Sequence, residues 1–389
     1  MLALPLITGS AGFFYAFLFF ILCFLFMLLS LFFLMEANLL SLNANANLIT
    51  MVKERLGPFG QGVAWVSFLF LLYSVAAAYL LGGGSLISDL LSIGFQRDIS
   101  QYIGVLIFLL TFGLIVVFGT RVIDIINRYC MIGLGLSFLI LIIFIVPHLN
   151  WHLYREGAPK YLFAAVPVVV LSFTSHIIVP SLRKYLRSDV HKLKMALFWG
   201  SCLPLLFYLT WVFLIVGTLP LKGPYGLETV AAAPHPIAAL THALNIVAKN
   251  PFISLLVGLF SFFALLTSFL GVSLSLYDFL ADGFHIKKTV LGRTKLLLLM
   301  FAVPISFALF YPQGFILALG YAGVFVAILY GILPALMVWH GRYIEKKEER
   351  FRVLGGKTFL ILMLVGSLII IFLQLADTIG WLHYLCDFF

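Results

Sequence analysis

Residues 161–181 read YLFAAVPVVVLSFTSHIIVPS. This run is apolar enough for a membrane-crossing helix, but Pro167 and Pro180 interrupt it and a polar group lies between them. A proline frees backbone carbonyls, which a bilayer tolerates only when they are buried in protein or line a wet cavity. Paired half-helices with exposed ends form binding sites near the middle of many membrane carriers. The segment therefore predicts a broken membrane helix with a ligand site at the break, formed by Ser172, Thr174, Ser175 and His176.

A purely structural explanation of the same polar residues stays open at this point. Hydroxyl groups inside a helix can bond back to a carbonyl of the preceding turn. A histidine such as His176 can be satisfied between two packed helices without contacting any ligand. The sequence alone does not choose between these two explanations.

Composition places the whole chain in a membrane. Of the 389 residues, 63% are hydrophobic and only 10% are charged, whereas a soluble domain carries about 25% charged residues. No loop is long enough for a separate soluble domain, so we predict one all-α integral membrane domain over residues 1–389. The apolar runs that are long enough to cross a bilayer are 12–34, 64–82, 102–118, 129–148, 161–180, 196–218, 252–279, 297–313, 315–340 and 358–380.

The basic residues are distributed asymmetrically about these runs. When successive loops are assigned to alternate sides, all but five of the 24 Lys and Arg residues fall on one side. The positive-inside rule makes that side the cytoplasm. Topology and contact with anionic lipid therefore explain the net charge of +9, and a nucleic-acid partner is not needed. The five predicted external residues are Arg97, Arg155, Lys160, Lys222 and Lys249.

The N-terminal segment is too short for a complete membrane helix. Residues 1–6 read MLALPL, and a GSAG break follows at residues 9–12. About eight residues precede this break, whereas a spanning helix needs about 20. We expect this segment to be the second half of a first helix, with roughly 20 residues encoded upstream of Met1. A mis-set start codon is the simplest cause, and a truncating mutation is the alternative.

Two further interruptions contain candidate functional residues. Residues 266–282 read LTSFLGVSLSLYDFLAD, in which small residues recur at a spacing that permits close helix contact. Asp278 follows them, and an ionisable group within a membrane span is a functional hypothesis by default. Tyr73, near a GGG run at 82–84, can offer a ring and a hydroxyl to a ligand or simply pack. Glu36, at the end of its apolar run, is predicted to lie at the membrane interface.

Several functional classes are excluded or disfavoured by what the chain lacks. It contains no P-loop, so no ATPase motif is present. Its His, Cys and carboxylate residues lack the spacing of metal ligands, and we predict neither a metal nor another cofactor. A membrane enzyme would be expected to gather its acid, base and nucleophile in one region, but the polar intramembrane residues here are spread over several spans. The pattern favours a carrier over an enzyme.

Several blocks in this order resemble the hydroxy/aromatic amino acid permease family, within the amino acid/polyamine/organocation transporter superfamily, and especially its tyrosine-specific members. The resemblance extends along essentially all 389 residues. The most specific blocks are MLALPL at 1–6, FTSH at 173–176 with VPS at 179–181, TSFLGV at 267–272, YD at 277–278 with LAD at 280–282, FALFYP at 307–312 with GF at 314–315, and ALGYAGV at 318–324.

The resemblance implies an architecture and an activity. It implies an inverted-repeat core of five plus five helices with one extra helix: residues 1–148 as an N-terminally shortened first repeat, 161–340 as the second, and 358–380 as the additional helix. It implies import of tyrosine or a related aromatic amino acid by proton symport across the bacterial inner membrane. In such carriers the first and sixth helices are broken, and the amino and carboxylate groups of the substrate bind their exposed ends. The oligomeric state does not follow from it.

These considerations together give a set of predicted site residues. For proton coupling we predict His176 and Asp278. Other functions stay open: an inactive truncated remnant, a polytopic membrane protein without transport, or a transporter of tryptophan or of a hydroxy amino acid. The predicted substrate-binding residues are Ser172, Phe173, Thr174, Ser175, His176, Tyr73, Ser268 and Phe269.

Overall fold

The computed structural model describes residues 1–41, 47–248, 251–287, 289–346 and 351–381, so the predicted external Lys249 lies outside the described residues. The described part contains helices and no strand, and ten of its helical segments are long and apolar enough to cross a membrane. The all-α membrane class is therefore confirmed. The helices are α1 Leu4–Thr8, α2 Phe13–Leu40, α3 Leu48–Phe95, α4 Gln101–Phe112, α5 Thr120–Ile145, α6 Leu162–Ser172, α7 Val179–Tyr185, α8 Val190–Thr218, α9 Leu227–Ala231, α10 Pro236–Ala248, α11 Pro251–Gly283, α12 Val290–Phe310, α13 Phe315–Val326, α14 Leu333–Trp339 and α15 Gly356–Thr378.

Four of the ten spans are composite. The α5 helix continues as a 3₁₀ segment, Val146–His148. The α4 helix continues as a 3₁₀ segment, Gly113–Phe118. A π-helical segment, Ala327–Ile332, joins α13 to α14. The α6 and α7 helices form one span that is interrupted between residues 172 and 179. These irregular stretches matter because a bilayer accepts free backbone groups only where protein or a cavity covers them.

The chain folds into two compact units, each assembled from several sections of sequence. Unit 1 contains Met1–Tyr15, Leu72–Pro159 and Trp211–Leu319. Unit 2 contains the described residues of Ala16–Leu71, Lys160–Thr210 and Gly320–Phe389. The predicted inverted repeat, with its boundaries at 148, 161, 340 and 358, stays a prediction.

The α3 helix differs from the predicted span at 64–82. Helical structure extends over Leu48–Phe95 and is broken inside by Gly57, whose φ of 72° and ψ of −168° are not helical. Residues 48–56 therefore form a short helix that ends at Gly57. The predicted end at the GGG run, residues 82–84, is wrong because these glycines lie inside the helix.

Two glycines of α3 have no room for a side chain, because α4 crosses α3 at very short distance within unit 1. A Cβ atom on Gly83 would lie 2.5 Å from the ring of Phe108, and one on Gly84 would lie 2.4 Å from Val105. On α4, a Cβ on Gly104 would lie 2.1 Å from the carbonyl oxygen of Gly84. Small residues at a crossing let two membrane helices approach closely, so this crossing fixes α4 against the C-terminal part of α3.

We predict that Gly104→Ala destabilises the protein by about 3 kcal/mol, because the new methyl group meets a backbone oxygen that cannot move alone. Gly135→Ala is the matched control in the same unit. Gly135 lies inside α5, and a Cβ there would meet nothing within 4 Å. Thermal unfolding in detergent measures both variants. Equal stability of the two variants would show that the α3–α4 crossing is not tight.

Unit 2 uses glycine in the same way around the π-helical span. A Cβ on Gly323 would lie 2.3 Å from the carbonyl oxygen of Pro167 in α6. On the α15 side, a Cβ on Gly331 would lie 2.0 Å from the hydroxyl of Ser367. The α13–α14 span is thus held against both α6 and α15. This packing fixes the broken span next to the π-helical segment.

The predicted break near the N-terminus is also present. Residues Gly9–Ala11 form a 3₁₀ turn, and Gly12 has a φ of 82°. A Cβ on Gly12 would lie 2.2 Å from the carbonyl oxygen of Glu156, and the amide of Ala158 donates to the carbonyl of Ser10 at 3.2 Å. The break is therefore fixed within unit 1 by the segment that precedes α6.

Candidate functional site in the broken span

The helical hydrogen-bonding pattern stops where the sequence turns polar. The α6 helix ends at Ser172, and Phe173 and Ser175 have ψ angles of 16° and 7°. A short 3₁₀ segment, His176–Ile178, leads into α7. Pro180 lies in the first turn of α7, where a missing amide hydrogen does little harm. The predicted broken span is therefore confirmed.

Three consecutive residues at this break hold buried polar atoms without hydrogen-bond partners in the described part of the chain. They are the hydroxyl of Thr174, the hydroxyl of Ser175 and Nδ1 of His176. The His176 side chain is completely buried. A buried polar atom that lacks a partner costs about 1–3 kcal/mol. Three such atoms on consecutive residues make the break a candidate ligand site.

The His176 ring is held from two sides within unit 2. It stacks on the ring of Tyr330, with centroids 4.7 Å apart and an interplanar angle of 24°. Its Nε2 lies 2.9 Å from the hydroxyl of Ser30 on α2. The same hydroxyl donates to the backbone carbonyl of Tyr330 in the π-helical segment. The ring therefore has a fixed orientation before any ligand binds.

Phe173 belongs to an aromatic cluster in unit 2. Its ring centroid lies 5.8 Å from that of Phe24, 6.3 Å from that of Phe20 and 5.4 Å from that of Tyr208. The Tyr208 hydroxyl donates to the carbonyl of Ser172 at 2.8 Å. The break thus combines unsatisfied polar atoms with edge-to-face aromatic packing.

The structural explanation of the polar residues applies to Ser172 and to one side of His176. The Ser172 hydroxyl donates to the carbonyl of Val168, one turn back, at 2.9 Å. His176 is satisfied between helices only through Nε2. Neither a bond to the preceding turn nor packing between helices accounts for the hydroxyls of Thr174 and Ser175.

The other predicted site residues lie in unit 1. The Tyr73 hydroxyl donates to the carbonyl of Leu299 at 2.9 Å, so its ring and its acceptor oxygen can contact a ligand. Phe269 is completely buried, with its ring 5.0 Å from that of Phe108. Their substrate-binding roles stay predictions.

Ser268 and Asp278 lie on α11 of the same unit. The side chain of Ser268 lies next to that of Tyr79 on α3. Asp278 is half-buried near the C-terminal end of the helix. The structure therefore gathers five of the nine predicted residues at the break, in unit 2, and the other four in unit 1.

A second polar cluster lies at the C-terminal end of α2 and contains Glu36. This carboxylate is completely buried and accepts two hydrogen bonds of 2.5 Å from Nε and Nη2 of Arg342, whose side chain is almost completely buried. The amide of Val353 donates to Glu36 at 2.8 Å, and Arg342 donates to the Val353 carbonyl at 2.9 Å. An arginine from a distant part of the sequence thus covers the carboxylate, and the position of Glu36 at the membrane interface stays a prediction.

Two further buried arginines cap the final carbonyls of α2. Arg183 of α7 donates to the carbonyls of Asn38 and Ser41. Arg55 donates to the carbonyl of Leu40 at 2.7 Å and pairs with Glu345. The last carbonyls of a helix have no partner within the helix, and basic groups suit them electrostatically. Through Arg183, this cluster fixes the half-helix that follows the break.

Ser30 and Tyr330 are site residues that sequence reasoning missed. Ser30 is the one hydroxyl-bearing residue in the stretch 16–34 of the first apolar run. Its isolation could have predicted a hydrogen-bonding role, because a lone serine in an apolar helix needs a partner. Tyr330 carried no such signal, since its contribution depends on a backbone carbonyl in a π-helical segment.

Ten apolar spans among the described residues, one of them broken at a polar segment, are typical of a polytopic membrane transporter. The model of the tryptophan/tyrosine permease family matches residues 1–374, and the chain belongs to this family. It is therefore a transporter and not an enzyme.

Individual relatives agree with this assignment. The chain is 34% identical to tyrosine-specific transport system 1 of Haemophilus influenzae, over 99% of this chain and 94% of that protein. It is 32% identical to tyrosine-specific transport system 2 of the same organism, over 98% and 94%. It is 30% identical to the tryptophan-specific transport protein of that organism, over 98% and 93%. The family and these names support transport of aromatic amino acids.

Proposed function

We propose that the protein imports tyrosine, or a closely related aromatic amino acid, by proton symport across the bacterial inner membrane. The observation that carries this proposal is the set of three buried polar atoms at Thr174, Ser175 and His176 that have no partner in the described chain. An amino acid brings a carboxylate, an ammonium group and side-chain polar atoms, and these can fill such a site.

The chemistry of the break suits an aromatic amino acid. The hydroxyls of Thr174 and Ser175 can donate to the substrate carboxylate, next to the interrupted end of α6. The ring cluster around Phe173 offers edge-to-face contacts to a substrate ring. Relatives named for tyrosine and tryptophan support this choice.

The remaining predicted residues keep proposed roles. We assign proton coupling to His176 and Asp278, because each carries an ionisable group within a membrane span and such a group is a functional candidate. Tyr73, Ser268 and Phe269 are proposed substrate contacts. The loops rich in lysine and arginine are proposed to face the cytoplasm.

Uptake by the purified protein in proteoliposomes tests the proposed coupling. We expect tyrosine to accumulate above the external concentration when the outside is acidic, because proton entry drives the substrate inward. A protonophore should return the internal concentration to equilibrium. Accumulation that persists in the presence of the protonophore, or that requires ATP, would contradict proton symport.

Tryptophan is the second candidate substrate, because relatives at 30–32% identity are named as tryptophan-specific transport proteins. The same proteoliposomes distinguish the two candidates. If tyrosine is the preferred substrate, unlabelled tyrosine will inhibit labelled uptake at a lower concentration than tryptophan does. The reverse order would assign tryptophan.

A further inference from the structure

The hydrogen bonds of Ser30 determine which nitrogen of His176 carries the proton. A serine hydroxyl has one hydrogen to donate, and Ser30 donates it to the backbone carbonyl of Tyr330, which can only accept. The Ser30 oxygen can therefore interact with Nε2 of His176, 2.9 Å away, only as an acceptor. Nε2 must then carry the hydrogen, and the neutral ring has a bare lone pair on Nδ1.

This tautomer defines the kind of group that Nδ1 can bind. A nitrogen with a lone pair accepts a hydrogen bond and cannot donate to a carboxylate. Nδ1 of His176 is buried and lacks a partner in the described chain. The missing partner is therefore an N–H or O–H group, and a substrate carboxylate has to bind elsewhere at the break.

We propose that Nδ1 of His176 accepts a hydrogen bond from the side-chain donor of the substrate, the phenol O–H of tyrosine or the indole N–H of tryptophan. Ser30 and Tyr330 act as positioning residues that hold the ring in this tautomer. The inference rests on the proposed function and adds the specificity-determining contact to it.

The surroundings favour the side-chain donor over the substrate ammonium group. His176 stacks on Tyr330, and Phe173, three residues earlier, packs against Phe20 and Phe24. Burying a charged ammonium group among aromatic rings is expensive unless it is paired. An aromatic ring with a single polar edge fits such surroundings with its ring packed and its donor satisfied.

The consequence is selection against rings without a donor. Phenylalanine would leave Nδ1 buried and unsatisfied, as would a tyrosine or tryptophan whose donor carries a methyl group. A site built around one hydrogen bond rejects analogues that lack it. One such bond corresponds to at least about a tenfold difference in affinity.

Equilibrium binding to the purified full chain in detergent tests this contact, with five ligands: tyrosine, 4-methoxyphenylalanine, phenylalanine, tryptophan and 1-methyltryptophan. In the wild type, tyrosine and tryptophan should each bind about tenfold or more tightly than their donor-free analogues. In His176→Phe, which keeps a ring next to Tyr330, these ratios should fall to about one while phenylalanine binds as before. Retained phenylalanine binding shows that the variant is folded.

Two further measurements examine the tautomer itself. Nitrogen NMR of labelled histidine should show a protonated Nε2 and a bare Nδ1 for His176, with the Nδ1 signal shifted by tyrosine and not by phenylalanine. Ser30→Ala should reduce the binding ratios, because Nε2–H loses its acceptor. Ser201→Ala, which removes a buried hydroxyl that donates to Leu197 within α8, should leave the ratios unchanged.

Four results would overturn the inference. If the affinity ratios persist in His176→Phe, His176 does not bind the side-chain donor of the substrate. A hydrogen on Nδ1 in the ligand-free protein would show that the ring is in the opposite tautomer. Equal weakening of all five ligands in His176→Phe would assign the histidine to a group that they share, such as the ammonium. Failure of the wild type to bind any of the five would instead refute the proposed function, and the inference with it.

Discussion

Replacement of Glu36 by glutamine is expected to destabilise the protein by about 3–5 kcal/mol, because it leaves the buried charge of Arg342 without its counter-ion. Both side chains are almost completely excluded from the surface, at 0% and 1% exposure. The substitution keeps the shape of the side chain, removes the negative charge and replaces one of the two acceptor oxygens by an NH2 donor. Thermal unfolding in detergent, followed by loss of the monodisperse peak, measures the effect.

Asp124→Asn is the matched control for this prediction. Asp124 forms an ion pair with Arg128 at 2.9 Å, but the two side chains are 63% and 73% exposed. An exposed pair contributes about 0–1 kcal/mol, so the control should unfold close to the wild-type temperature. The double replacement Glu36→Leu with Arg342→Met should recover part of the loss, since neither member of this buried pair is then charged. A Glu36→Gln protein as stable as the control would show that this cluster does not hold α2.

The double substitution Thr174→Val with Ser175→Ala is expected to reduce tyrosine uptake at least about tenfold at subsaturating substrate, because two donors to the substrate are lost. Stability should stay the same or rise. The two hydroxyls have no partner in the described chain, so removing them breaks no bond and relieves the cost of their burial.

Ser201→Ala provides the comparison for this variant. Ser201 is also a buried hydroxyl of unit 2, but it donates to Leu197 at 2.8 Å. Its loss should leave uptake unchanged. Uptake by the double variant at the wild-type level, with equal amounts of protein in the membrane, would remove Thr174 and Ser175 from the substrate site.

The parts of the structure that sequence predicted correctly depend on local chemistry. The break after Ser172 and the break at residues 9–12 each follow from residues next to one another in the chain. Proline, glycine and clusters of hydroxyls act on their own backbone. Their effects can therefore be read without knowing what packs against them.

The parts that were missed depend on contacts between distant residues. Glu36 is separated from Arg342 by 306 positions, and Ser30 from His176 by 146. Gly83 and Gly84 of α3 have no room for a side chain because α4 crosses α3 there, at the position of Gly104. A sequence shows that a residue needs a partner, but a single chain without relatives aligned to it does not show which residue supplies one.

The π-helical segment shows the same limit at the candidate site. Nothing in residues 327–332, AILYGI, distinguishes a π-helix from an ordinary membrane helix. Yet the Tyr330 carbonyl in this segment receives the Ser30 hydrogen and so determines the tautomer of His176. The polar character of the site was visible in the sequence, and its hydrogen-bond direction was not.

Counterflow in proteoliposomes tests whether the broken span is an aromatic amino acid site, because it detects substrate exchange without any assumption about the driving ion. Vesicles containing purified protein are loaded with unlabelled tyrosine and diluted into a trace of labelled tyrosine. We expect a transient accumulation of label in wild-type vesicles and little or none in the Thr174→Val, Ser175→Ala variant. Ser201→Ala should respond as the wild type does. Absence of counterflow with tyrosine and tryptophan alike, or an equal response to leucine, would contradict the assignment of the broken span as an aromatic amino acid site.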